Sequence, residues 1–103
     1  MAVMRLTPQE AAAIRRITTE LAGPRAKVSL FGSRTRDDLR GGDIDLLIEL
    51  PEPSDDKLAL SVRTGARLQL TIGERKIDVV VTDPMSEETA LIRAARSQAI
   101  ELR

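Results

Sequence analysis

Apolar residues recur along the chain with two different periods, and the switches between them mark its elements. Ile14, Ile17 and Leu21 fall at helical spacing with Arg15, Arg16 and Glu20 turned outward, one stripe of an amphipathic helix. Thr7-Pro8-Gln9-Glu10 supplies its start: a hydroxyl to cap, a proline for the first turn and a glutamate to close a capping box. Gly23-Pro24 supplies the stop, so the pattern predicts a helix over 8–22. Lys27 to Phe31 is a short apolar run, predicted as a strand and broken by Gly32-Ser33. Arg34 to Arg40 is polar, with room for one or two helical turns, and Gly41-Gly42 makes a flexible turn. The period then changes to two. Ile44, Leu46, Ile48 and Leu50 line one face and Asp43 and Asp45 the other, which predicts a strand over 43–50.

Pro51-Glu52-Pro53 ends that strand. Ser54 is the candidate N-cap of a helix over 55–72, with Asp55 and Asp56 in the first turn, where the helix dipole favours negative charge. Its apolar stripe reads as Leu58, Val62 and Ala66 with Gln69; Leu68, Leu70 and Ile72 fall off that line, and Gly65 weakens it. Arg75 to Thr82 is a third strand in which Ile77, Val79 and Val81 alternate with Asp78 and Val80. Asp83-Pro84 then opens a last helix over about 84–101, with Leu91, Ile92, Ala95, Ala99 and Ile100 on its apolar side. No repeat or linker interrupts the 103 residues, which fit one domain, 1–103. Alternation of this kind predicts an α/β (α+β) fold, a small mixed β-sheet with helices packed on its aliphatic face. The other face then carries Asp43, Asp45 and Asp78.

Composition narrows the chemistry. There are 16 basic and 16 acidic side chains and a single aromatic residue, Phe31. A basic excess and stacking aromatics, the usual footprint of a general nucleic-acid binder, are both missing, so no direct broad nucleic-acid binding is expected. With no cysteine and no histidine, disulfides, thiol catalysis, zinc sites of the Cys/His kind and a histidine general base are excluded. Any metal must be held by oxygen, which favours hard ions such as Mg²⁺ or Mn²⁺. No apolar run is long enough for a signal peptide or a membrane span, and the cytoplasm is the expected compartment.

Asp43 and Asp45 project from one strand face, and Asp78 joins them if the second and third strands are neighbours. Two unit charges about 4 Å apart repel by on the order of 4 kcal/mol at an effective dielectric of 20, so such a cluster asks for a cation. Two divalent ions would clamp the attacking and leaving oxygens of a phosphoryl or nucleotidyl transfer. Gly32 lets backbone approach a phosphate closely and Ser33 can donate to it, while Arg34 or Arg36 could neutralise distal phosphates. The loop is not a Walker loop, because its glycine-lysine-serine signature is absent.

These residues resemble a known family. FGSRTRDDLRGGDIDLLIEL is similar to the Gly-Ser, spacer, Asp-x-Asp signature of the DNA polymerase β-like nucleotidyltransferases, and above all to the minimal nucleotidyltransferases, or MNT proteins. The likeness extends to GERKIDVVVTD, where the third acidic residue falls on Asp78. It implies the polymerase β-like nucleotidyltransferase fold, with Asp43, Asp45 and Asp78 as metal-binding and catalytic residues and Gly32, Ser33, Arg34 and Arg36 binding the nucleotide. It further implies Mg²⁺, two ions, with ATP as substrate, and an antitoxin that transfers AMP to a hydroxyl, a tyrosine above all, of a HEPN-type RNase toxin held in a hetero-oligomer. The spacer between Ser33 and Asp43 is one residue shorter than usual and Asp37 stands where a glycine is common. Those departures motivate the alternative, an antitoxin of weak or no catalytic power that neutralises its toxin by binding.

Overall fold

A computed structural model describes residues 6–31, 44–73 and 76–102. The first helix, α1 (Pro8–Ala22), starts as its sequence dictates. The Thr7 hydroxyl accepts from the Glu10 amide at 3.1 Å, and the Glu10 carboxylate accepts from the Thr7 amide at 2.9 Å. Gly23 ends it with φ at +99°, a left-handed conformation that side chains disfavour. Three further elements follow, β1 (Lys27–Phe31), β2 (Ile44–Glu49) and α2 (Lys57–Ile72). The chain then continues through β3 (Ile77–Thr82), α3 (Ala90–Gln98) and the two-residue β4 (Ile100–Glu101).

The four strands form one mixed sheet in the order β3-β2-β1-β4. β1 runs antiparallel to β2 and β4, and β2 runs parallel to β3. The α/β class and the mixed sheet expected from the alternation of elements are therefore borne out. Ile14 and Ile17 of α1 and Leu68 of α2 bury the even-numbered face of β2, Ile44, Leu46 and Ile48, together with Val28 and Leu30 of β1. A second, smaller cluster joins Phe31, Leu47 and Ala95, with Val80 packed against it. Leu47 and Val80 lie on the opposite sheet face from Leu46 and Val79. α3 therefore covers part of the carboxylate-bearing face, while α1 and α2 cover the aliphatic one.

The second strand ends at Glu49 rather than 50 and the third begins at Ile77 rather than 75, and the two later helices depart further from the sequence pattern. α2 begins at Lys57 rather than 55, because the Ser54 hydroxyl accepts from the Asp56 amide at 3.2 Å in a turn ahead of the helix. Its buried stripe is Leu60, Thr64 and Leu68, whereas Leu58 and Val62 are 78% and 64% exposed. Two rows at spacing four compete on this helix; the row that packs on α1 and β3 wins although it contains a threonine. The last helix starts at Ala90, capped by the Thr89 hydroxyl accepting from the Ile92 amide at 3.2 Å. Met85 and Ser86 are instead turned around the Asp83 carboxylate. At its far end Ala99 leaves the helix at ψ 138°, and Ile100 and Glu101 pair with β1 as a strand that the helical reading hid.

Candidate functional site

The register of the sheet decides which acidic residues meet. Asp45 and Asp78 are direct partners in the parallel β2–β3 ladder, so both side chains leave the same face of adjacent strands. Asp45 is half-buried and Asp78 exposed. On the other side of Asp45 stands Phe31, its partner in the antiparallel β1–β2 ladder. Phe31 is buried, and with Leu47, Val80 and Ala95 it makes an apolar floor beside the carboxylate pair. Gly32 is bonded to Phe31 and Asp43 to Ile44. Both ends of the segment 32–43 thus attach at this end of the sheet.

Of the residues singled out from sequence, Asp45 and Asp78 are brought together. Asp43, Gly32, Ser33, Arg34 and Arg36 lie outside the described residues, as do the Arg34–Arg40 segment and the Gly41-Gly42 turn. Among the described residues no group of three acidic side chains converges. The two carboxylates that do meet are an all-oxygen donor set on neighbouring strands, one of them open to solvent, and this chemistry fits a hard divalent cation. Like charges so placed repel unless a cation or proton lies between them.

Farther along the same face, Glu49 follows Asp45 and Leu47 in the period of two. Instead of standing free it accepts from the Arg96 guanidinium of α3 at 2.9 Å, and Glu88 engages the same guanidinium. The Glu49 hydrogen bond, with Glu88 adding to it, holds the Arg96 pKa above its ordinary value. This contact ties α3 across the face and leaves the Asp45–Asp78 end to the site. Sequence reasoning missed the roles of Phe31 and Arg96. For Phe31 the signal was its place just before Gly32-Ser33; for Arg96 there was none, since its partner is 47 residues away.

At the opposite end of β3 sits a carboxylate of another kind. Asp83 accepts at Oδ2 from the Ser54 amide at 2.8 Å and Lys57 Nζ at 2.9 Å. At Oδ1 it accepts from the Met85 amide at 2.9 Å and the Ser86 hydroxyl at 3.1 Å. The Ser54 amide above all, then Lys57, hold its pKa far below the usual carboxylate range against the opposing effect of burial. The depression of about 340 Å³ between the α1–β1 turn and the β2–α2 loop also lies at this end; Gly23, Leu50 and Pro53 line it, and no acidic pair does.

A mixed sheet with an in-register acidic pair on one face and helices on the other is the architecture of a nucleotidyl-transferring domain. The family model for the nucleotidyltransferase domain matches residues 12–101, and the chain belongs to that family. No curated protein matches the chain. Solved structures share the fold. A toxin–antitoxin MntA–HepT crystal structure is 19% identical with a TM-score of 0.66, covering 94% of this chain and 72% of that one. A tri-AMPylated Shewanella oneidensis HEPN toxin in complex with MNT antitoxin is 20% identical with a TM-score of 0.66, covering 92% and 70%. A third structure, also from Shewanella oneidensis, is 15% identical with a TM-score of 0.68, covering 95% and 72%. Among the described residues no helix is long and apolar enough to cross a membrane.

Proposed function

We propose that this chain is an MNT antitoxin that transfers AMP from ATP to a tyrosine hydroxyl of a HEPN-type toxin. The observation that carries the reading is the Asp45–Asp78 register pair, set at the sheet end to which the segment 32–43 is attached. The AMPylated toxin in complex with a protein of the same fold supports the choice of group and partner.

In the reaction the acceptor oxygen bonds to the α-phosphorus of ATP, the bond to the bridging oxygen breaks, and pyrophosphate leaves. The hydroxyl proton passes to a carboxylate, for which Asp78, exposed and facing the acceptor, is the candidate base. Asp43, Asp45 and Asp78 are the residues that would hold Mg²⁺. When bound, the metal neutralises the charge that builds on the phosphate oxygens. Gly32 and Ser33 cradle the triphosphate, Arg34 and Arg36 balance its charge, and the apolar floor at Phe31 keeps water from one side of the pair. The acceptor tyrosine belongs to the toxin, which brings it to the open end of the carboxylate face.

The test is label transfer from α-labelled ATP to the purified toxin in the presence of Mg²⁺. Label on the toxin, abolished by Asp45→Asn and by chelation, is the expected result. Neutralisation of the toxin without label, or equal labelling by Asp45→Asn, would overturn it in favour of inhibition by contact.

A further inference from the structure

Beside the acid pair, on the same face, stands a cation that the reaction above leaves unused. The Lys76 carbonyl accepts from the Ile44 amide at 2.8 Å, so the parallel β2–β3 ladder runs one step past the start of β3. In the period of two, Lys76 leaves the face from which Asp78 leaves, about 6–7 Å further towards the end where the segment 32–43 attaches. Lys76 is exposed, and among the described residues it forms no ion pair, not even with Asp78. Arg96, the cation that α3 brings to the other end of this face, is by contrast held by both Glu49 and Glu88. A lysine at a strand end is ordinary while water solvates it. The position changes once a protein covers the face. An ammonium stripped of water is costly unless it is paired, and with three donors and no acceptor it is best satisfied by a carboxylate. Asp78 is not free to serve, because it is a proposed metal ligand.

We propose that Lys76 is the docking residue for the acceptor protein, its ammonium taking a carboxylate that lies beside the acceptor tyrosine of the toxin. The inference rests on the transfer reading above for which protein docks and at which end of the face. Two observations assign Lys76 to the acceptor rather than to the phosphates of ATP. The segment carrying Gly32 and Ser33 is attached to β1 and β2, whereas Lys76 leads into β3, the edge strand on the far side of β2. In a phosphoryl-type transfer the attacking and leaving oxygens stand roughly in line, on opposite sides of the phosphorus. Pyrophosphate leaving on the β1 side therefore puts the acceptor on the β3 side, with Asp78 and Lys76. The second observation is one of charge. The acid pair by itself repels an acidic acceptor surface, and a cation next to it on the acceptor's side turns that repulsion into selection.

The test measures toxin affinity in the absence of ATP, and separately the KM values of transfer for toxin and for ATP. Lys76→Gln should weaken toxin binding about fivefold to tenfold and Lys76→Glu further, while Lys76→Arg stays near wild type, with far-UV circular dichroism unchanged in all three. The loss should appear in the KM for the toxin and not in that for ATP. Changing the toxin's acidic residues around the acceptor tyrosine to lysine, one at a time, should yield one variant that restores binding to Lys76→Glu. Toxin affinity indifferent to Lys76→Glu would overturn the proposal. So would a raised KM for ATP with toxin affinity unchanged, which would assign Lys76 to the phosphates. Absence of label on the toxin with the wild-type chain would instead sink the transfer reading, and the affinity series decides the contact without it.

Discussion

β3 carries an aspartate at each end, and the two have opposite surroundings. Asp78 is exposed, and its register partner is another acid. Asp83 is buried and accepts four hydrogen bonds from two backbone amides, an ammonium and a hydroxyl. A carboxylate whose lone pairs are all occupied has nothing left for a ligand; its charge is spent on joining the β2–α2 loop to the end of β3. One set beside a like charge and open to solvent is costly until a cation arrives. Whether an acid builds the fold or serves the chemistry is thus legible from its partners rather than from its residue type.

The sharpest way to break this contrast is to neutralise each acid in turn. Asp78→Asn should lower AMP transfer by about two to three orders of magnitude, the loss typical of removing a group that stabilises transition-state charge. Its thermal midpoint should stay level or rise slightly, because a repulsion is relieved. Label transfer and calorimetry on the same preparation read both. Asp83→Ala should do the reverse: a clear drop in thermal midpoint, since the Ser54 amide and Lys57 lose their buried acceptor, with transfer per folded molecule kept at a temperature where the variant is still native. Equal losses of activity in the two variants would erase the distinction.

Acid offers a gentler probe of the same pair. The Asp83 pKa is depressed on folding, so its contribution to stability is fully present above the unfolded value of 3.8 and drains away as pH falls below it. The thermal midpoint of the wild-type chain should therefore decline below about pH 4 more steeply than that of Asp83→Asn, which lacks this linkage. Parallel slopes would mean that other carboxylates dominate acid unfolding.

How much of this was written in the sequence depends on the range of the interaction. The bounds of α1 were legible to the residue, because its cap, proline and stop glycine act within a few positions. β1 was too, and so was the shared face of Asp45 and Asp78, since alternation and the mixed, layered order of elements fix it. The inward stripe of α2 was not. Leu58-Val62-Ala66 is the more apolar row, and only packing on α1 and β3 selects Leu60-Thr64-Leu68. Asp83-Pro84 has the form of a helix start, yet the carboxylate is captured by Ser54 from across the chain and the helix waits until Ala90. β4 was hidden for the same reason: Ile100 continues a helical stripe and becomes a strand only because Leu30 stands beside it.

Glu49 is the intermediate case, and it sets the finest test of the contrast. It shares the face of Asp45, and taken as a surface acid it would be expected to stand free in solvent; its side chain is instead 25% exposed and bonded to Arg96. If partners decide the role, Glu49 belongs with Asp83 in kind, but weakly, because Arg96 is itself 44% exposed and screened by water and salt. Glu49→Gln should therefore cost no more than about 0.5–1 kcal/mol, the range of exposed ion pairs, with the difference from wild type shrinking as salt is raised. Transfer should be unchanged, because the substitution frees the Arg96 end of α3 without touching the Asp45–Asp78 end of the face. A large loss of transfer from this substitution would mean that the placement of α3 over Phe31 and Leu47 is itself part of the site, and that a paired carboxylate can serve the chemistry through the helix it holds.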